Sequence, residues 1–238
     1  MQRPDFDDDD DGSHHHHSPL NPLPWVVWLL ALPVIAFEAA FALGQAGLVG
    51  GNAAIGWRQM AFQRFAYVPD YARAMWEAQT YPLAEAARIV TYPFVHGSFT
   101  HAAMVLVFVL ALGKMVGEIF RPLATLVIFF GSATVGALVY TAVPVTQAPL
   151  YGGYPAVYGL VGAFTYILWA RLGAQQSNRA RAFTLIGFLL FIQLVFGLIF
   201  GTGWDWIAEI TGFATGFGLS FVVGPGGLQR ALNQLRQR

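Results

Sequence analysis

Residues 94–143 read FVHGSFTHAAMVLVFVLALGKMVGEIFRPLATLVIFFGSATVGALVYTAV. A helix needs about 20 mostly apolar residues to cross the roughly 30 Å hydrocarbon core of a bilayer. Two such runs stand here back to back, about 94–118 and 123–143, with Arg121-Pro122 closing one and opening the next. Four more stretches qualify or nearly do: about 25–48, 155–172, 183–200 and 206–223. The last three are short, so they need thin surroundings or burial among the others. Polar or glycine-rich turns separate them: Pro144 to Pro149, Gln175 to Arg179, and Gly201-Thr202-Gly203, with Gly224-Pro225-Gly226-Gly227 after the last. The pattern predicts an all-α membrane protein, a bundle of six transmembrane helices.

Composition agrees. Of 238 residues, 56% are apolar and 11% charged, with 20 phenylalanines and a positive mean hydropathy. Ordinary globular domains carry about 25% charged residues, so this chain lacks the charged skin a soluble core would need. Lys+Arg and Asp+Glu are equal at 13 each, so no net field recruits nucleic acid. The absence of cysteine excludes disulfides, thiol catalysis and cysteine-based metal centres. Asp5, Asp7, Asp8, Asp9, Asp10 and Asp11, followed by His14 to His17, predict a disordered tail over residues 1–22 with no site role and no metal. An acidic flank and the length of the following apolar run argue against a signal peptide. A membrane domain is expected over 23–224, with its first loop at 49–93, and a basic cytoplasmic tail over 225–238.

Cytoplasmic loops carry the excess of Lys and Arg. Arg121 follows the second span, Arg171, Arg179 and Arg181 follow the fourth, and Arg230, Arg236 and Arg238 follow the sixth. Both termini are therefore expected in the cytoplasm, which would suit a bacterial inner membrane. The long first connection breaks the rule with Arg58, Arg64, Arg73 and Arg88 on the outer side. Asp70, Glu77 and Glu85 balance them, and Trp57, Tyr67, Tyr71, Trp76 and Tyr81 are interleaved, which predicts interfacial helices at headgroup level.

Ionisable groups inside a span are costly and face the bundle interior or a water-filled cavity. Five stand out: Glu38, His96, His101, Glu118 and Glu209. Glu118 follows Lys114 by four residues and reads as a snorkelling pair. Glu38 reads as a buried partner in a hydrogen bond to a neighbouring helix. Five residues apart, His96 and His101 are expected on different helix faces, which argues against chelation by that pair alone. Glu209 opens the sixth span, followed by Gly212-x-x-x-Gly216, a spacing that lets two helix backbones approach closely. The fourth span opens GGYPAVYGLVG. Gly152 and Gly153 permit a tight backbone, Pro155 suits the first helical turn, and Gly159 and Gly162 thin the helix behind Tyr154.

In this order, the pieces resemble the rhomboid family of intramembrane serine proteases. Phe94, His96 and His101 match the F-x-H-x-x-x-x-H that opens the second span, GGYPAVYGL lies on the Gly-x-Ser-Gly-x-x-Tyr-Gly-Leu of the fourth, and Ala208-Glu209 lies on the Ala-His of the sixth, ahead of its Gly-x-x-x-Gly. The resemblance covers about 25–223. It implies a six-helix rhomboid bundle with an interfacial first loop, no cofactor, and a site in which a serine on span four attacks a peptide carbonyl. A histidine on span six takes the serine's proton, and a histidine and an asparagine on span two hold the oxyanion.

Position by position, this chain departs from that chemistry. Tyr154 stands at the nucleophile, Pro155 at the glycine after it, Glu209 at the base and Val105 at the oxyanion asparagine, while His101 keeps the oxyanion histidine. The family's Trp-Arg pair falls on Ala87-Arg88. A phenol with a pKa of about 10 is a poor acyl nucleophile at neutral pH, and a Tyr–Glu pair has no imidazole to carry the proton to the leaving amine. Ser98, Ser132 and Ser220 are the nearest serines in the spans, and none lies in a Gly-x-Ser-Gly elbow. A hydrogen bond from Tyr154 to Glu209 is expected to close the place where the site would open. The reading is a pseudoprotease that binds single-span membrane clients at His96, Tyr154 and Glu209, as derlins do by family analogy. The alternatives are a serine endopeptidase with a non-standard site and, with less to support it, a small-solute channel or transporter.

Overall fold

The computed structural model describes residues 22–200 and 203–224, without the side chains of 194 and 196–200. The tail expected over 1–22, except its last residue, and the basic tail over 225–238 lie outside the described residues, as do Gly201 and Thr202. The described chain is helical: α1 Trp25–Gln45, α2 Trp57–Phe65, α3 Pro69–Ala78, α4 Leu83–Ala86, α5 Arg88–Thr91, α6 Phe99–Gly117, α7 Pro122–Ala142, α8 Tyr154–Ala174, α9 Thr184–Phe200 and α10 Trp206–Val223. Five of these (α1, α6, α7, α8 and α10) are long and apolar enough to cross a membrane. Helix α9 falls on the expected fifth span but has 17 residues, about 26 Å at 1.5 Å per residue.

Two ends differ from the sequence expectation. Helix α1 stops at Gln45, short of 48, because Gly47 and Gly50 turn the chain at φ +71° and +78°, where a side chain would be strained. Helix α6 starts at Phe99, not 94. Ser98 is its N-cap, with the hydroxyl accepting from the His101 backbone N–H at 3.2 Å. His96 therefore lies in the connection before the helix, and the face argument that kept it apart from His101 does not apply.

Helix α8 is the buried centre, packed by α10, α7 and α6. Glycines make this possible. A Cβ on Gly212 would overlap the Pro155 carbonyl, one on Gly216 the Gly159 carbonyl, and one on Gly162 the Phe213 carbonyl. From α7, a Cβ on Gly136 would stand 2.7 Å from the Ala208 carbonyl oxygen. The three helices meet backbone to backbone, as small residues at a four-residue spacing allow. Outward, Leu32, Val107 and Leu138 are exposed, the apolar surface expected of helices in contact with lipid.

The first loop is pinned by its arginines. Arg58 makes two 2.8 Å bonds to the Glu38 carboxylate and a third, 2.7 Å, to the His96 carbonyl. Arg73 reaches the carbonyls of Thr141, Val143 and Thr146 at 2.9–3.0 Å, satisfying the open end of α7. Arg88 is buried against Glu85 and the carbonyls of Gln63 and Ala66. Three of the four loop arginines named above are thus consumed in holding the loop to the bundle. Tyr71, Trp76 and Tyr81 stay exposed on it.

Candidate functional site

The site forms where the segment before α8 meets α6. An antiparallel bridge between Tyr67 and Leu150 anchors that segment. Gly152 donates its N–H to the Tyr92 carbonyl at 3.0 Å. Gly152 must be glycine on two counts. Its φ is +89°, and a Cβ would stand 2.7 Å from His101 Nε2. Gly153 donates its N–H to His96 Nε2 at 3.3 Å. Burial, reinforced by the neighbouring His101 ring, lowers the His96 pKa to about 3, so the ring is neutral and fit to accept that bond.

The structure brings His96, His101 and Tyr154 together. The two imidazoles meet edge to face at 5.0 Å, and His101 stacks on Tyr154 at 4.9 Å. Among the described residues, no group of three metal-ligating side chains accompanies them. Val105 is fully buried and presses on Gly153, where an added Cβ would be 2.7 Å from its Cγ1. The space beside Gly153 is therefore filled with methyl groups.

Glu209 is buried at 5% exposure, and its partner is not the expected one. Among the described residues no hydrogen bond joins it to Tyr154. Instead it accepts from the Gln193 side-chain amide, whose oxygen accepts from the Tyr158 hydroxyl at 3.5 Å. The physical reason is that Tyr154 is committed to stacking on His101, while Gln193 reaches across from α9 with an N–H donor. Gln193 is absent from the sequence reading, although it is the one amide in the apolar run TLIGFLLFIQLVFGLIF.

These groups line a cavity of about 910 Å³ bounded by α6, α8, α9, α10 and the segment before α8. Tyr154 and Glu209 both line it, with Met104 and Phe108 from α6 and Phe188 and Ile192 from α9. None of the three serines named from the sequence lines it. Ser98 caps α6, Ser132 is buried where an added Cβ on Gly159 would strike it, and Ser220 donates to the Gly216 carbonyl at 2.7 Å.

No curated protein matches the chain. Residues 83–226 match the family model of the rhomboid domain, more than half of the sequence and all of α6 to α10. With its helical membrane architecture and the cavity at the mouth of α8, the chain belongs to the rhomboid family.

Proposed function

We propose that this chain is a rhomboid pseudoprotease that holds transmembrane helices of single-span clients without cutting them. The observation that carries this is the fate of the two dyad seats. Tyr154 is stacked on an imidazole, Glu209 is bonded to an amide, and no serine named from the sequence lines the cavity between them. Neither residue can split the work of acyl transfer, which needs a nucleophile and a base within reach of one another. The binding residues are His96, Tyr154 and Glu209, on a frame of Gly152, Gly153, Gly159, Gly212 and Gly216. In this reading α9 is the fifth of six spans and crosses where the bilayer is thin. The loop charges put both termini in the cytoplasm, in keeping with a bacterial inner membrane. A client helix would enter between the apolar side chains of α6 and α9 that line the cavity.

The test is a photo-crosslinking amino acid at Phe188, an exposed residue lining the cavity, in proteoliposomes that also hold a single-span protein. The expected product is an adduct containing the full-length client. An adduct with a cleaved client, lost on Ser98→Ala, would instead favour a serine endopeptidase with a displaced site. Solute flux through the same liposomes without any adduct would favour a channel.

A further inference from the structure

Two glutamates are buried among the described residues, and they are treated differently. Glu38 has a guanidinium: both its oxygens bond to Arg58 at 2.8 Å. Among the described residues, Glu209 has only the amide of Gln193, forms no ion pair, and faces a cavity whose lining includes no Lys or Arg. A carboxylate withdrawn from water without a counter-charge is costly. Cavity volume and wall chemistry say what could supply that charge. A space of about 910 Å³ is in the range of small-molecule sites, about 300–1,000 Å³. Its lining carries Asp205 and Glu209 together with the half-exposed rings of Tyr151 and Trp204, and apolar side chains from α6 and α9. Aromatic faces attract organic cations, quaternary ammonium above all.

We infer that this cavity binds an organic ammonium carrying an apolar chain, with the cationic head between Glu209, Asp205 and the aromatic rings and the chain along Phe108, Phe188 and Ile192. The ion does for Glu209 what Arg58 does for Glu38. The head can belong to a free amphiphile or to a lipid headgroup, since both present the same charge and methyl surface. The inference rests on reading the cavity as a binding site, as the proposed function does, but not on a helix being what enters it.

The test uses the full chain in neutral maltoside micelles, with decyltrimethylammonium as the probe and decyl sulfate and decyl maltoside as matched chains. The expected result is saturable binding of the ammonium, read as a rise in the unfolding midpoint, at least tenfold tighter than either control. Glu209→Gln weakens it tenfold or more. Trp204→Leu, at a ring that is half exposed, weakens it as well, and Glu118→Gln at the far end of α6 leaves it unchanged. Competition by lysophosphatidylcholine assigns the site to a lipid headgroup; its absence assigns the site to a free ammonium. Equal binding of all three chains, or undiminished binding by both Glu209→Gln and Trp204→Leu, overturns the inference. Phe188 crosslinking of a client that persists alongside such a failure would leave the client reading standing. Ammonium binding with no client adduct would do the reverse.

Discussion

The imidazole of His101 lies against the ring of Tyr154, with centroids 4.9 Å apart and planes 17° from parallel. Stacked aromatic pairs contribute about 0.5–1.5 kcal/mol beyond the area they bury. The Tyr154 ring is thereby used as packing. Tyr154→Ser and Glu209→His, made singly, should each remain unlabelled by a serine-directed fluorophosphonate, because each half of a dyad needs the other. Labelling of either single variant would show that a partner already waits in the cavity.

The bidentate pair of Glu38 and Arg58 joins α1 to α2 with little exposure on either side chain. Breaking a buried pair from one side costs about 3–5 kcal/mol, and the 19% exposure of Arg58 lowers the expectation to about 2–3 kcal/mol. Arg58→Met should lower the unfolding midpoint by more than the Glu38→Met/Arg58→Met double variant does. Equal loss in single and double variants would mean that the ion pair is not what holds α2.

Glycine positions on α10 should separate sharply. Gly216→Leu drives atoms into the backbone of α8, and the expected destabilisation is about 3 kcal/mol or more. At Gly218 an added Cβ meets nothing within 4 Å, so Gly218→Ala should leave the midpoint unchanged or slightly raised. A thermal series in micelles checks both, and similar behaviour of the two variants would refute the packing of α8 on α10.

His96 links stability to pH. Its pKa is lowered from 6.5 to about 3 on folding, chiefly by burial, so between those values the folded chain holds fewer protons than the unfolded one. The contribution is fully present above about pH 6.5 and is lost progressively as pH falls toward 3. Melting between pH 8 and 5 should show the midpoint dropping below 6.5, with a shallower drop in His96→Gln, whose amide oxygen can still accept from Gly153. An unchanged slope in that variant would mean that His96 is not the titrating group.

Much of this molecule is legible in its apolar runs, because length and hydropathy are local properties. The starts of α7 at Pro122 and of α8 at Tyr154-Pro155 follow directly from proline's place in a first turn. The Gly212 and Gly216 spacing announces a close helix contact, and the structure makes it with α8. What the runs hide depends on pairing across the fold. Nothing near Glu38 in sequence indicates Arg58, 20 residues on. Gly97-Ser98 inside an apolar stretch was the available sign that His96 stands outside α6, and a helix cap outweighs hydropathy there. The Tyr154–Glu209 bond failed for the same reason. Motif alignment puts two residues near one cavity, but it cannot count the competing partners, here His101 and Gln193.

Mass-spectrometric mapping of fluorophosphonate adducts on the membrane-embedded chain, run beside a single-span rhomboid substrate, tests the proposed loss of protease chemistry most directly. The account predicts an intact substrate and no modified serine at any of Ser98, Ser132 or Ser220. A substrate cut within the bilayer together with one stoichiometrically labelled serine would contradict it.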